Sequence, residues 1–263
     1  MVDFVSKLSY DVYDLKKLIR ILCSPEGCPW DREQTHESIR RNMLEEAYET
    51  AEAIDLKNTE DLIEELGDVL MQVVFHADIA ERASNFNLDD IADATCRKLI
   101  RRHPHVFGDV RAKTGEESLV LWEDIKQKEK HHESISDNMH SVVRCLPELW
   151  RAEKIQKKAA KAGFDWTDHT GALDALNAEV KELEDAIAGD RNIAEELGDL
   201  LFSAVNVARF FKIDPEEALK AASDKFITRF TYIEKNAEKQ GRKLEDMSLD
   251  QMEELYRQSK LEK

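Results

Sequence analysis

The chain has 263 residues, 42% of them hydrophobic, enough for one large core or two modest ones. Its 38 Lys and Arg stand against 55 Asp and Glu, and the net charge of −17 opposes nucleic-acid binding and docking on an anionic membrane. No apolar run approaches the roughly 20 residues of a membrane span, Met1-Val2-Asp3 begins no signal segment, and Cys23, Cys28, Cys96 and Cys145 show no C-x-x-C or zinc spacing, which together predict a reduced cytoplasmic protein.

Nine glycines, five prolines and a charged fraction of 35% favour helices. A leading helix is followed by a turn at Cys28-Pro29-Trp30-Asp31. Leu44, Ala47, Tyr48, Ala51 and Ile54 then recur at the three-and-four spacing of an amphipathic helix, as do Leu62, Leu66, Val69, Leu70, Val73 and Val74 in the next segment. A basic helix carries Lys98 and Arg102 and is broken at His103-Pro104-His105. A terminal helix carries Trp122 and Lys126. The hydrophilic run from His131 to Asn138 marks a boundary, and the order then repeats. Trp30 maps to Trp166 with a shift of 136, Glu46 and Glu49 to Glu179 and Glu182 with 133, Glu65 and Asp68 to Glu196 and Asp199 with 131, and Lys98 and Arg102 to Lys225 and Arg229 with 127. The shift shrinks as the second copy's connections shorten. The expectation is an all-α fold in two helical units, 1–135 and 136–263. Their apolar faces would be buried in four-helix bundles formed within a unit, between units or between chains.

The acidic residues carry the chemistry. Residues three apart on a helix share a face, so Glu46/Glu49 and Glu65/Asp68 each aim two carboxylates the same way, and Glu179/Glu182 and Glu196/Asp199 repeat this. Antiparallel packing of the two helices would gather four carboxylates, an arrangement that calls for a divalent cation. The flanking apolar stretches, Val69 to Phe75 and Leu200 to Val207, predict at least half-buried helices. Gly67 and Gly198 sit mid-helix in the same tetrapeptide, where glycine costs about 1 kcal/mol relative to alanine; the repetition suggests a close helix approach or a ligand near the backbone. An all-oxygen set favours Mg²⁺ or Mn²⁺ over zinc. Glu33-x-x-His36 and Glu129-x-x-His132 have the spacing of a di-iron motif, but both histidines read as solvated surface groups.

Lys98 and Arg102 lie four apart on one helix, as do Lys225 and Arg229. They read either as an exposed basic face or as the groups that neutralise a polyphosphate beside the metal. Trp122 with Lys126, and Tyr256 with Lys260, occupy matching terminal helices, where an aromatic serves as core or as a base platform. The run Lys154, Lys157, Lys158, Lys161 reads as a solvated face. There is no P-loop and no nucleophile elbow or triad.

E-E-x-x-E, E-x-x-D and a Lys/Arg helix in two tandem copies, with Cys28-Pro29-Trp30-Asp31, Arg101-Arg102-His103-Pro104-His105-Val106-Phe107, Lys154-Ile155-Gln156-Lys157 and Gly163-Phe164-Asp165-Trp166, resemble the MazG family of nucleoside triphosphate pyrophosphohydrolases. The resemblance spans nearly the whole chain. It implies an all-α enzyme, usually a homodimer, that converts NTP or dNTP to monophosphate and pyrophosphate with Mg²⁺ and broad, house-cleaning specificity. Narrower dUTP or phosphoribosyl-ATP hydrolysis, or a non-catalytic nucleotide- or partner-binding module, are the alternatives. Carried over, Glu46, Glu49, Glu65 and Asp68, then Glu179, Glu182, Glu196 and Asp199, would hold metal. Lys98, Arg102, Lys225 and Arg229 would bind phosphates, with Trp122, Lys126 or Tyr256 near the nucleotide. Glu45, with Glu46 and Glu49, would complete the catalytic set as acceptor of the water's proton. The second copy has Ala178 in place of Glu45.

Overall fold

A computed structural model describes residues 4, 6–129, 134–189 and 191–261. Every regular element among them is helical, as the periodicity predicts. The chain divides into two compact units, Met1–Lys130 and His131–Lys263. Residues 131–133 of the expected boundary lie outside the described residues, and a cut after residue 135 would fall inside a helix, Ile135–His140, capped by Ser134.

The first unit runs α1 (Val12–Leu22), α2 (Pro29–Glu33), α3 (Arg40–Leu56), α4 (Thr59–Arg82), α5 (Leu88–Arg102), α6 (Pro104–Phe107) and α7 (Gly115–Glu129). Asp11 and Asp14 form a capping box that starts α1. Lys57 takes a left-handed conformation (φ 55°) and Asn58 caps α4, so α3 and α4 form a tight helical hairpin. α1 covers the second half of α4, where Ile19, Cys23, Ile39, Val74 and Phe75 make the core. Asp78 is buried there, taking Arg20 Nε at 2.6 Å and Arg82 Nε at 2.9 Å, which ties α1 to α4.

The second unit runs α8 (Ile135–His140), α9 (Glu148–Lys161), α10 (His169–Gly189), α11 (Ile193–Phe210), α12 (Pro215–Lys239), a 3₁₀ turn at Leu244–Asp246 and α13 (Leu249–Ser259). α10 and α11 repeat the hairpin, and α9 lies against α11 as α1 lies against α4. Trp150 Nε1 donates to both oxygens of Asp214, the cap of α12, at 2.7 and 2.9 Å. Arg209 and Asp165 form an ion pair that pins the Trp166 loop to α11. A second core of Ile233, Ala237, Met247 and Leu255 joins α12 to α13. No helix among the described residues is long and apolar enough to cross a membrane.

Three local expectations change. The acidic hairpins are less covered than their sequence suggests: the burial of α4 is confined to residues from Gln72 onward, and α11 fully buries only Val205. Nothing lies within 4 Å of a side chain built on Gly67 or Gly198, so among the described residues of its unit no helix closes over that face of either glycine. His36 is not a solvated group. Its Nδ1 lies 2.7 Å from Nδ1 of His76, with ring planes 12° apart, and Phe86 packs beside it. His132, the other histidine read as a surface group, lies outside the described residues.

The histidine pair holds the segment before α3 against α4. One Nδ1 must donate and the other accept, so the contact does not survive a proton on both. Burial, then the charge of His36, lowers the affinity of His76 for its proton. The folded state therefore keeps His76 neutral, whereas the unfolded chain protonates it near 6.5. Its contribution is complete above that pH and declines below it. The urea midpoint should fall between about pH 7.5 and pH 5.5, and His76→Gln should flatten that fall; an unchanged slope in the variant would remove the pair as its source.

Candidate active site

In each unit the helical hairpin brings the acidic pairs together. On α3 and α4, single oxygens of Glu46, Glu49 and Glu65 all lie within 4.8 Å of one another. On α10 and α11, Glu179, Glu196 and Asp199 meet the same limit. The fourth expected carboxylate is within electrostatic reach in both. Asp68 raises the proton affinity of Glu46 and Glu65, and Glu182 that of Glu179 and Glu196. Desolvation is the first cause for all four raised groups, followed by neighbouring carboxylates; Glu46 also shares a side-chain hydrogen bond with Glu49. A carboxyl that takes a proton from a neighbouring carboxyl is using that proton to offset like-charge repulsion. A divalent cation would offset it more completely, and the hard oxygen donors suit Mg²⁺ or Mn²⁺.

Glu45 is placed elsewhere. Its Oε1 accepts from Arg41 Nε at 2.7 Å on the exposed side of α3, and it is not one of the three converging carboxylates. Periodicity alone does not separate Glu45 from Glu46, since adjacent helical residues point about a quarter-turn apart and only the packing of α4 decides which is inward.

The basic helices lead to a second shared arrangement. The Arg102 guanidinium lies 5.4 Å from the Trp122 ring centre and Lys126 Nζ 4.6 Å from it. In the second unit Arg229 is 5.5 Å and Lys260 5.3 Å from the Tyr256 ring, and Arg229 Nη1 donates to the Tyr256 hydroxyl at 3.4 Å. Each aromatic is thus flanked by two cations. Trp122 is half-buried, and Tyr256 borders the α12–α13 core without entering it. Lys98 and Lys225, one turn before their arginines, are exposed. α5 packs along both α4 and α7, and α12 along both α11 and α13, so each basic helix connects the acidic hairpin to the aromatic.

The α9 lysines are only partly a solvated face: Lys157 pairs with Glu153 at 2.7 Å, and Lys158 reaches Asn138 on α8. One set of contacts escaped sequence reasoning. Glu129, at the end of α7, takes Arg101 Nε on Oε1 at 2.6 Å and Arg102 Nε and Nη2 on Oε2 at 2.9 and 2.6 Å. The partners are 27 and 28 residues apart on different helices, and no periodicity links them.

The profile of the MazG nucleotide pyrophosphohydrolase domain matches residues 34–107 and again 167–233. A nucleoside triphosphate pyrophosphohydrolase/pyrophosphatase MazG from Thermotoga maritima is 45% identical over 94% of this chain and 94% of its own length. A nucleoside triphosphate pyrophosphohydrolase from Escherichia coli K12 is 41% identical over 94% and 95%. The uncharacterized protein YabN of Bacillus subtilis is 47% identical over 97% of this chain, which spans 53% of it. Both matched segments contain an acidic hairpin and a Lys/Arg pair, while Trp122, Glu129 and Tyr256 fall outside them. With the domain present twice and relatives aligned over nearly their full length, the chain belongs to the MazG family of nucleotide pyrophosphohydrolases.

Proposed function

We propose that the chain hydrolyses nucleoside triphosphates, ribo or deoxy, to the monophosphate and pyrophosphate, with Mg²⁺ (or Mn²⁺) held on the acidic hairpins. The observation that carries this reading is the convergence of three carboxylates in both units, on helices that also pack against the basic helix. Glu46, Glu49, Glu65 and Asp68, and Glu179, Glu182, Glu196 and Asp199, would hold the cation. When bound it polarises the reacting phosphoryl group, activates water and neutralises the leaving pyrophosphate. Lys98 with Arg102, and Lys225 with Arg229, hold the phosphate chain, arginine in bidentate fashion. Trp122 with Lys126, and Tyr256 with Lys260, accept the nucleoside. An aromatic face stacks with any base, which supports broad specificity. Glu45 accepts the proton of the attacking water in the first unit. Its exposed pair with Arg41 is worth only a few tenths of a kcal/mol, so releasing it is easy. The second unit offers Ala178 there. We place the enzyme in the reducing cytoplasm, in keeping with its free thiols.

The same reading includes a homodimer. Ile63, Leu66, Gly67 and Leu70 form one stripe on the open half of α4, and Ala194, Leu197, Gly198 and Leu201 repeat it on α11. Ile63 is 69% exposed and Leu66 and Leu197 about half exposed, with open space above both glycines. The chain leaves 19238 Å² accessible, whereas two separate compact units of half its mass would leave about 14,000 Å². A second copy laid along the stripes would cover part of the excess, and the glycines would let its helices come close.

Hydrolysis of NTP should release monophosphate and pyrophosphate and require Mg²⁺; diphosphate and orthophosphate as products would exclude this reaction. Glu46→Gln/Glu179→Gln should lower turnover at least about a hundredfold and abolish the rise in Tm that Mg²⁺ gives the parent. A Tm rise that persists in this variant would locate the cation elsewhere. Light scattering should give twice the chain mass, and Leu70→Glu/Leu201→Glu should halve it; a parent of single-chain mass would refute the dimer.

A further inference from the structure

The two units treat their arginine differently. In the first, Arg102 spends two donors on Glu129 while Arg101 binds the other oxygen, so one carboxylate bridges two guanidinium groups. The Arg102 and Glu129 side chains are only 15% and 18% exposed. In the second unit Arg229 contacts Tyr256, and no acid among the described residues pairs with it. The sequence explains the difference. The shift of 127 that takes Arg102 to Arg229 takes Arg101 to Thr228, and the shift of 134 that takes Trp122 to Tyr256 and Lys126 to Lys260 takes Glu129 to Lys263. At these shifts Arg101 and Glu129 both lack a like counterpart in the second copy; Glu262, beside Lys263, lies outside the described residues.

We infer that Glu129 is an internal competitor for the phosphates of the first unit, holding Arg101 and Arg102 until a nucleotide displaces it and so setting that unit's affinity below the second's. The inference rests on the proposed role of Arg102 and Arg229 as phosphate ligands. A carboxylate and a phosphate offer a guanidinium the same kind of paired oxygen acceptors, so both cannot occupy the inner edge of Arg102 at once. Glu129 stays ionised throughout the physiological range, because the hydrogen bonds from Arg101 and then Arg102 hold its carboxyl down at about 2. The competitor is therefore always charged, and only a stronger anion removes it. Arg102 also lies over Trp122, so its release changes the phosphate end and the aromatic platform together. A merely structural tie between α5 and α7 would have the opposite signature: weakening it would loosen the site and reduce binding.

The test uses the full chain with Lys225→Ala/Arg229→Ala, which silences the second unit, and equilibrium dialysis against an ATP analogue with a methylene bridge between the α and β phosphorus atoms, in Mg²⁺. Glu129→Gln should tighten binding about tenfold, the scale of one charge-assisted contact. Arg101→Thr/Glu129→Lys, which copies the second unit's pair, should give at least the same gain and decides the matter where Glu129→Gln alone lowers helix content. Adding Arg102→Ala should erase it. Equal or weaker binding in both Glu129 variants, with parental helix content, overturns the competitor role while leaving the enzymatic reading intact, provided the unsilenced chain binds the analogue. An unsilenced chain that neither binds it nor releases pyrophosphate from ATP overturns both.

Discussion

Like-charge repulsion between carboxylates on a two-helix hairpin is the constraint on which this molecule is organised. Helical spacing aims Glu46 and Glu49 from α3 at Glu65 and Asp68 from α4, and the tight Lys57-Asn58 turn leaves them no means of separating along the axis. In water each carboxylate would be hydrated. Partial desolvation and crowding raise the proton affinity of Glu46 and Glu65 instead. The fold thus stores an unfavourable charge arrangement, stabilised elsewhere by the α1–α4 core and by the Arg20–Asp78–Arg82 tie. Both supports sit at the far end of α4, away from the acids. The stable part of the helix anchors, and the open part carries charge.

That division explains why the hairpins are amphipathic in an unusual sense. One side of the first half of α4 presents Ile63, Leu66 and Leu70, left exposed by the same unit, and the next presents Glu65 and Asp68, partly covered by α3. An apolar stripe beside a charged cluster lowers the local dielectric once something lies along the stripe. Carboxylates at its edge then gain affinity for a cation and lose access to bulk water. Covering the stripe and filling the acidic cluster therefore reinforce each other.

The sequence made the helices, the duplication and the inward acids legible because all three depend on local periodicity. Glu46/Glu49 and Glu65/Asp68 needed only the three-residue rule. What it did not reveal are features fixed by distance across helices. Glu45 differs from Glu46 by one position, and its turn toward Arg41 follows from where α4 packs. His36 reads as a polar loop residue until α4 places His76 against it. Gly67 suggested a close helix approach or a ligand near the backbone, whereas its unit leaves open space there among the described residues. Glu129 drew notice only for its spacing to His132, whereas its partners are Arg101 and Arg102 on another helix.

A chain that carries its site twice supplies its own comparison. The converging carboxylates and the aromatic between two cations are common to both units. The differences run in opposed directions. The first unit keeps the additional acid Glu45 but also holds Arg102 on Glu129; the second has Ala178, and Arg229 with no acidic partner among the described residues. A copy drifting toward inactivity would shed acids and cations at random. The first unit instead carries the fuller set of acids together with Glu129, and an ion pair matched on both sides, Arg101 with Glu129, needs two compatible residues on separate helices. Such a match is more simply read as a restraint on a working site than as decay. On the proposed reading, the two units then carry the same chemistry, each in its own site, at two different affinities.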